Sequence, residues 1–493
     1  MPLSHSPLSW PARSCVLLLV VLAVWLRLDS YPKTYFADEL IPRAVVQHMR
    51  DSGTLDTRWD RADWRGDYAG HFYSLPQYNF SSYHTALLPM LHLAHAAGQA
   101  AVPDLVIYRA ASLLFQLGGF VLVFAMARQM LGEWGGVTAL AWLALMPQAV
   151  VDAHYARPES FVMLLVALAA WLAWQVHVTG RQRLLLPEAV VWGIACACKF
   201  SFLPMAALAL LAQLWRWRRA QAALLWSCGF AGGIALSAPY ILLDWPGFVR
   251  GVQLLLTQYA PATSDAGWLS SAHQLLPYLA VFFGPVLLLL PLSLLARLRA
   301  VRCFAALALA VSAAYLLLFA RQGVFFERNL SHLLPLWAVL FAIACHALSF
   351  WLPFAGRPAA PLLLALLLAW PLWLSWRISE DFFRGLPVVQ EHVAVHERQL
   401  AAQFAGASVQ SPSLFAGLQV IDAIAQGDIL RVPQHKLAGL QLVHNSLQEK
   451  GFVVVDELVL PLAFLPYNQL QINHFPPAYR YYRRVTPAGG TQQ

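Results

Sequence analysis

The residues able to do chemistry fall into three groups, each at one end of an apolar run. The first is Asp38-Glu39, closing Tyr35-Phe36-Ala37-Asp38-Glu39 soon after the first apolar run. A carboxylate there can deprotonate or orient an attacking hydroxyl or amine; an acidic residue at a helix start can equally serve as a cap. The second group is Asp152-Ala153-His154-Tyr155-Ala156-Arg157-Pro158-Glu159, between two adjoining runs. Pro158 suits the first turn of the following helix and Glu159 its positive end. That accounts for Glu159 structurally and leaves His154 and Arg157 less well explained. The third group runs from Arg321 through Glu327 and Arg328 to His332. Arg is suited to bidentate phosphate recognition, although a long basic side chain at a membrane edge also snorkels. Lys199, Asp244 and the pair Tyr83-His84 complete the set.

The elements that must position these groups are set by composition. The chain has 493 residues, of which 59% are hydrophobic and 12% charged. Apolar runs long enough to cross a bilayer recur between Ser14 and Ile378, and in hydrocarbon such runs must be helices. A charged group beside or within them is a functional candidate by default. The 19 Trp and 16 Tyr residues fit interfacial anchors. The net charge of +8 comes from Arg residues in short loops between apolar runs; that pattern sets topology and does not indicate nucleic acid. The six cysteines lie in or beside apolar segments, so no disulfide framework is implied. Cys196 and Cys198 point in different directions on a helix, against a metal pair.

Spans are expected at 15–28, an uncleaved anchor, then at 108–130, 135–152, 159–178, 184–199, 202–217, 220–243, 273–296, 303–320, 329–351 and 359–378. Placing the short basic loops inside leaves the N-terminus inside and gives about eleven crossings. The segments 31–107, 153–158, 244–272, 321–328 and everything after Ser379 then lie outside. The stretch 84–102 is read as a helix on the outer leaflet, since a crossing there would invert every later loop. Its His92 and His95 fit a satisfied interfacial pair better than a metal site. Residues 1–378 are therefore expected to form a transmembrane domain that carries the candidate residues, with 31–107 as a large first external loop, and 379–493 a small external α/β domain. In the latter, helices are expected at 388–404 and 437–450 and strands at 452–455 and 458–462. The fold class is thus an all-α polytopic membrane protein with a small α/β tail.

In their order along the chain these motifs resemble the GT-C membrane glycosyltransferases, in the branch of the protein O-mannosyltransferases and the aminoarabinose transferase of lipid A. The motifs are Asp38-Glu39, Tyr108-Arg109-Ala110-Ala111-Ser112, the run from Ala153 to Glu159, Gly193 to Phe200, Pro239-Tyr240 to Asp244, and Glu327 to Pro335. The likeness covers 17–351. It implies a polyprenyl- or dolichyl-phosphate sugar donor, its tail between helices and its head at the outer surface. It assigns Asp38, with Glu39 beside it, as catalytic base, and Glu159 with Asp152 as the second acidic site. The donor phosphate falls to Arg328, then to Arg321, Arg157 and Lys199, and substrate contacts to Tyr83, His84, His154, Asp244 and His332. The family more often has Asp where this chain has Glu159, and the tail beyond Glu380 has no counterpart in it.

The chemistry agrees: a phosphate leaving group needs charge stabilisation more than a general acid, and one displacement inverts the sugar. No cofactor is expected. A divalent metal is not required for a monophosphate donor, and no ligand cluster supports one. The acceptor is a protein, lipid A or another glycan, and the expected place is a bacterial inner membrane with the site facing the periplasm. The alternatives are a transporter or flippase, whose polar sites belong at the bilayer midplane in broken helices, and an assembly protein whose external tail binds a partner.

Overall fold

The computed structural model describes residues 7–28, 37–62, 77–99, 101–217, 220–260, 271–323, 325–351, 359–404, 407–410, 428–434, 438–460 and 478–484. Contacts divide the chain into two units, 1–31 with 36–376, and 32–35 with 377–493. The first is helical: α1 Trp10–Trp25, α2 Leu40–Ser52, α3 Ser81–Ala96, α4 Asp104–Leu131, α5 Glu133–Ala144, α6 Pro147–Ala153, α7 Pro158–Thr179, α8 Leu185–Cys198, α9 Leu203–Trp217, α10 Ala220–Ser237, α11 Pro239–Leu243, α12 Trp245–Tyr259, α13 Ala272–Phe283, α14 Val286–Leu295, α15 Arg299–Ala320, α16 Leu334–Trp351 and α17 Ala359–Arg377.

Among the described residues, five stretches are long and apolar enough to cross a bilayer: α4, α7, α10, α15 and Glu327–Phe350, which contains most of α16. Two further expected spans are bent, α5 to α6 by 63° and α13 to α14 by 88°, and bring the number to seven if each pair is one crossing. Pro147 at the first turn of α6 forces the first bend, because a proline has no N–H to continue the ladder and clashes with the turn before it. Helices α1, α8 and α9 have 16, 14 and 15 residues.

The centre of this unit is apolar and close-packed, with Trp142, Phe283, Phe341 and Trp337 meeting between α5, α13 and α16. Helices α8 and α10 approach through glycine: a Cβ on Gly193 would stand 2.2 Å from the Phe230 carbonyl oxygen, and one on Gly233 2.2 Å from that of Val190. Small residues at such a crossing let backbones touch where lipid offers no hydrophobic drive. Arg27, at the end of α1, is fully buried and donates to the carbonyls of Ala23 (2.8 Å) and Ala144 (3.0 Å) and to Gln116. A charge so placed persists only when its donors are satisfied.

The second unit carries helices α18 Leu386–Gln403 and α19 Ala438–Glu449 and a four-stranded sheet. Its strands are β1 Val409–Gln410, β2 Ile429–Gln434, β3 Phe452–Val459 and β4 Ala478–Arg484, in the order β1-β2-β4-β3. The two strands expected at 452–455 and 458–462 are one strand, β3, with a register shift between Val454 and Asp456. Leu430, Val432, Leu447, Phe452 and Tyr482 form its core.

Candidate functional site

Three short local structures build the site. Asp38 and Glu39 lie in a single 3-10 turn, Ala37–Glu39, that leads into α2. Arg157 holds an extended backbone (φ −137°, ψ 158°) before Pro158 opens α7, as a residue preceding proline must. This puts Glu159 in the first turn of α7, where the helix dipole favours a carboxylate. Lys199 breaks α8 with a similarly extended backbone (φ −142°, ψ 122°), so its side chain leaves the helix at its end.

These turns bring five charged groups into one cluster. Glu159, 1% exposed, accepts from Lys199 Nζ (2.7 Å) and Arg157 Nε (3.1 Å), and Arg328 Nε lies 4.0 Å from it. Arg328 also pairs with Asp38, whose side chain is 21% exposed against 12% for Arg328. Glu159 is thus the buried anchor of the cations, and Asp38 is the acid at the accessible rim. Aromatic faces line the cluster, with Phe80 5.7 Å from Lys199 Nζ and Phe326 5.0 Å from the Arg328 guanidinium. Phe80 has φ 66°, a strained conformation for a bulky residue. Its N–H bonds the carbonyl of Cys198, the residue before Lys199, at 2.8 Å.

Glu39 is separate from this cluster's rim. It is buried and holds Arg109 through two bonds, Nε to Oε1 at 2.8 Å and Nη2 to Oε2 at 2.5 Å; Oε1 also accepts the Ala156 N–H at 2.6 Å. The Tyr155 ring lies 5.9 Å from both the Arg109 and Arg157 guanidinium groups. Glu39 and Arg109 therefore fix the loop that presents Arg157 and Glu159. Sequence reading missed Arg109 as a partner. The available signal was a charge in an apolar helix, which has to find a counter-charge.

The remaining candidates have varied settings. Asp152 is buried and accepts from Gln148 (2.8 Å), which in turn meets Ser331 (3.3 Å) and Tyr278 (2.5 Å). His154 bonds the Val150 carbonyl through Nδ1 at 2.7 Å. His332 sits among the rings of Phe202, Tyr315 and Phe319, and Tyr83 meets Ser112 at 3.3 Å. His84 is buried against Phe80 and Tyr83. Arg321 is exposed at the end of α15, outside the buried cluster. Asp244 caps α12 through the Gly247 N–H (3.1 Å) and accepts from Tyr78 (2.6 Å) and, more distantly, Arg58 (3.5 Å). The Tyr78 hydroxyl holds the Asp244 carboxyl below the ordinary carboxylate range. Asp244 thereby ties the first loop to α12; Tyr78 and Arg58 are further partners that the sequence did not single out. Among the described residues no group of three or more His, Cys, Asp and Glu could hold a metal ion.

The comparisons with known proteins come to the same architecture. The family described as dolichyl-phosphate-mannose-protein mannosyltransferase matches residues 102–243, a stretch that includes Arg109, Asp152, Arg157, Glu159 and Lys199. No curated protein matches the chain. Among solved structures, ArnT from Cupriavidus metallidurans in the apo state aligns with a TM-score of 0.50 at 15% identity, over 68% of this chain and 60% of that one. ArnT from the same organism bound to undecaprenyl phosphate aligns with a TM-score of 0.53 at 11% identity, over 97% of this chain and 99% of that one. The chain shares the fold of these membrane proteins, and it resembles the GT-C glycosyltransferases of the mannosyltransferase and ArnT branch.

Proposed function

We propose that this chain is an inverting glycosyltransferase that moves a sugar from a polyprenyl- or dolichyl-phosphate carrier to a hydroxyl or amine. The acceptor belongs to a protein, lipid A or another glycan, and the reaction runs on the periplasmic face of a bacterial inner membrane, in a bundle of about eleven crossings. The observation that carries this reading is the ion pair of Asp38 with Arg328, beside Arg157 and Lys199 on the buried Glu159. A structure of the same fold was obtained with undecaprenyl phosphate bound, which favours a lipid phosphate as the ligand.

In this reading the donor phosphate takes the place of Asp38 on Arg328, with Lys199 and Arg157 adding charge from behind. That exchange frees the Asp38 carboxylate for the acceptor. The acceptor oxygen or nitrogen then forms its bond to the anomeric carbon as the bond from that carbon to the phosphate oxygen breaks. The phosphate leaves with the electron pair, stabilised by preorganised cations, and the acceptor proton passes to Asp38. Glu159 is the fixed counter-charge that aims the cations, and Glu39 with Arg109 is a positioning pair.

The test is turnover of defined polyprenyl-phosphate sugars by the purified protein with an envelope extract as acceptor, read as release of polyprenyl phosphate and inversion at the anomeric carbon. Arg328→Gln should lower kcat/KM by about a hundredfold or more, the usual loss for one preorganised charge contact. Turnover of no such carrier, or an Arg328→Gln protein equal to the parent, would overturn the reading.

A further inference from the structure

Phe80 stands where the backbone favours glycine. Its φ of 66° and ψ of 17° are left-handed, and among the described residues it is the one non-glycine with a positive φ. Glycine takes this conformation without steric cost, whereas a residue with a Cβ and a ring is strained in it. Such strain persists only where the surrounding structure holds it. Hydrogen bonds on either side do so here. The Trp59 indole donates to the Asn79 carbonyl at 3.1 Å, the Phe80 N–H to the Cys198 carbonyl at 2.8 Å, and the Ser82 hydroxyl to the Ile194 carbonyl at 2.7 Å. Cys198 ends α8, and the carbonyls of a last turn have no helical N–H beyond them to accept. Phe80 therefore closes the end of the helix that presents Lys199. Its ring, 8% exposed, packs against Trp59 and His84, with centroids 6.1 and 6.4 Å away. The same ring faces Lys199 Nζ at 5.7 Å, within the range of a cation–π contact. Lys199 Nζ also bonds Glu159 at 2.7 Å; that bond uses one of the ammonium's donors, and the ring restricts the directions of the others.

We infer that Phe80 is a positioning residue for Lys199. Its left-handed backbone brings its N–H to the end of α8 and its ring to the Lys199 ammonium, so that Lys199 is aimed before the lipid carrier arrives. This deepens the proposed sugar transfer and rests on that reading. Lysine is a point charge on a flexible stem, and without the ring the ammonium has more directions open to it. Negative charge builds on the donor phosphate only as its bond to the anomeric carbon breaks. An ammonium fixed in advance therefore acts on the transition state more than on the bound carrier. A glycine would relieve the backbone and remove this control, which accounts for a bulky ring at a position that strains it.

The test is steady-state sugar transfer by the full-length protein in detergent, with rates expressed per folded molecule from the melting curve. Phe80→Leu keeps an apolar side chain and removes the ring face. It should lower kcat by about three- to thirtyfold, the range of one cation–π contact, and change KM for the carrier by less than about twofold. Phe80→Tyr restores the ring and should recover most of that loss. In a Lys199→Gln background, where Glu159 keeps Arg157, Phe80→Leu should lower kcat by less than about twofold more, because residues that act through one contact are not additive. A full further loss in that background would make the ring plain packing and overturn the inference. So would a Phe80→Leu protein with the parent's kcat, or a Phe80→Tyr protein as slow as Phe80→Leu. If the parent transfers no sugar from any carrier, the proposed function falls and this inference with it; if the parent is active and indifferent to Phe80, this inference alone falls.

Discussion

Asp38 and Glu39 are neighbours in sequence and carry the same charge, yet the structure gives them different settings, one at a rim and one buried, and the different tasks proposed for them can be measured. The Asp38 pair with Arg328 is partly exposed, at 21% and 12%, and such a pair contributes at most about 1 kcal/mol to stability. Asp38→Asn should therefore leave the melting curve of the detergent-purified protein near that of the parent. Its transfer rate should fall by about a hundred- to ten-thousandfold, the usual share of a general base. Glu39 and Arg109 are 0% and 1% exposed, and Glu39 accepts from Arg109 through both carboxylate oxygens and from the Ala156 N–H. Glu39→Gln removes the carboxylate charge facing a guanidinium that cannot lose its proton; breaking one side of a buried pair costs about 3–5 kcal/mol. Glu39→Gln should melt several degrees earlier, and its loss of activity should follow its loss of folded protein. Adding Arg109→Met to Glu39→Gln removes the other half of the ion pair as well and should recover much of the stability. The measurements are melting by intrinsic fluorescence and sugar transfer per folded molecule, on the same preparations. An Asp38→Asn protein transferring sugar at nearly the parent rate would refute the base assignment. A Glu39→Gln protein as stable as the parent but inactive would move the chemistry to Glu39.

Two further outcomes follow from packing and from the charges of the first loop. Gly193→Leu should destabilise the first unit by at least the 1–3 kcal/mol typical of overpacking, because even a Cβ meets the Phe230 carbonyl at 2.2 Å; an unchanged melting curve would show that α8 and α10 separate freely. Asp244 is held below its ordinary value of 3.8 by Tyr78. Burial pushes Asp56 up, but its bonds from Arg58 outweigh this and leave it lowered too. A carboxylate with a depressed folded value stabilises fully above its unfolded value and loses that contribution as the pH falls through the folded one. Protease cleavage near Arg58 should thus be constant from neutrality down to about 3.8 and increase only below it. Cleavage that opened at milder acidity would place the tether on another group.

How much the sequence disclosed depended on whether the information was local. Arg328, Arg157, Lys199 and Asp38 could be assigned to one side of the membrane because the loop charges alternate, and the structure brings those four around Glu159. Sidedness is a property of single loops. Pairing is not: Arg109 lies 70 residues from Glu39, and nothing in either neighbourhood names the other. The same limit hid the tie of Tyr78 to Asp244, 166 residues apart. The bends of the expected spans at Pro147 and Gly284 were marked by the residues themselves, but hydropathy averages over a window and reads a bent pair as one straight run.

The second unit shows the converse. Its helices, α18 and α19, stand close to the expected 388–404 and 437–450, because a helix's apolar face repeats within a dozen residues. Strands β2 and β4 were not expected. β2 contains Pro433, which argues against a strand interior, and β4 reads Ala-Tyr-Arg-Tyr-Tyr-Arg-Arg, where basic residues blur the alternation. Both become strands because they pair with each other, from Ile429 opposite Arg483 to Gln434 opposite Ala478, and because Leu430, Val432 and Tyr482 bury one common face. Cross-strand burial of that kind outweighs the local preference of either segment. The catalytic proposal rests on the same type of non-local fact. Asp38 acquires a role through Arg328, which lies 290 residues away, whereas Glu39, one residue on, turns inward to Arg109.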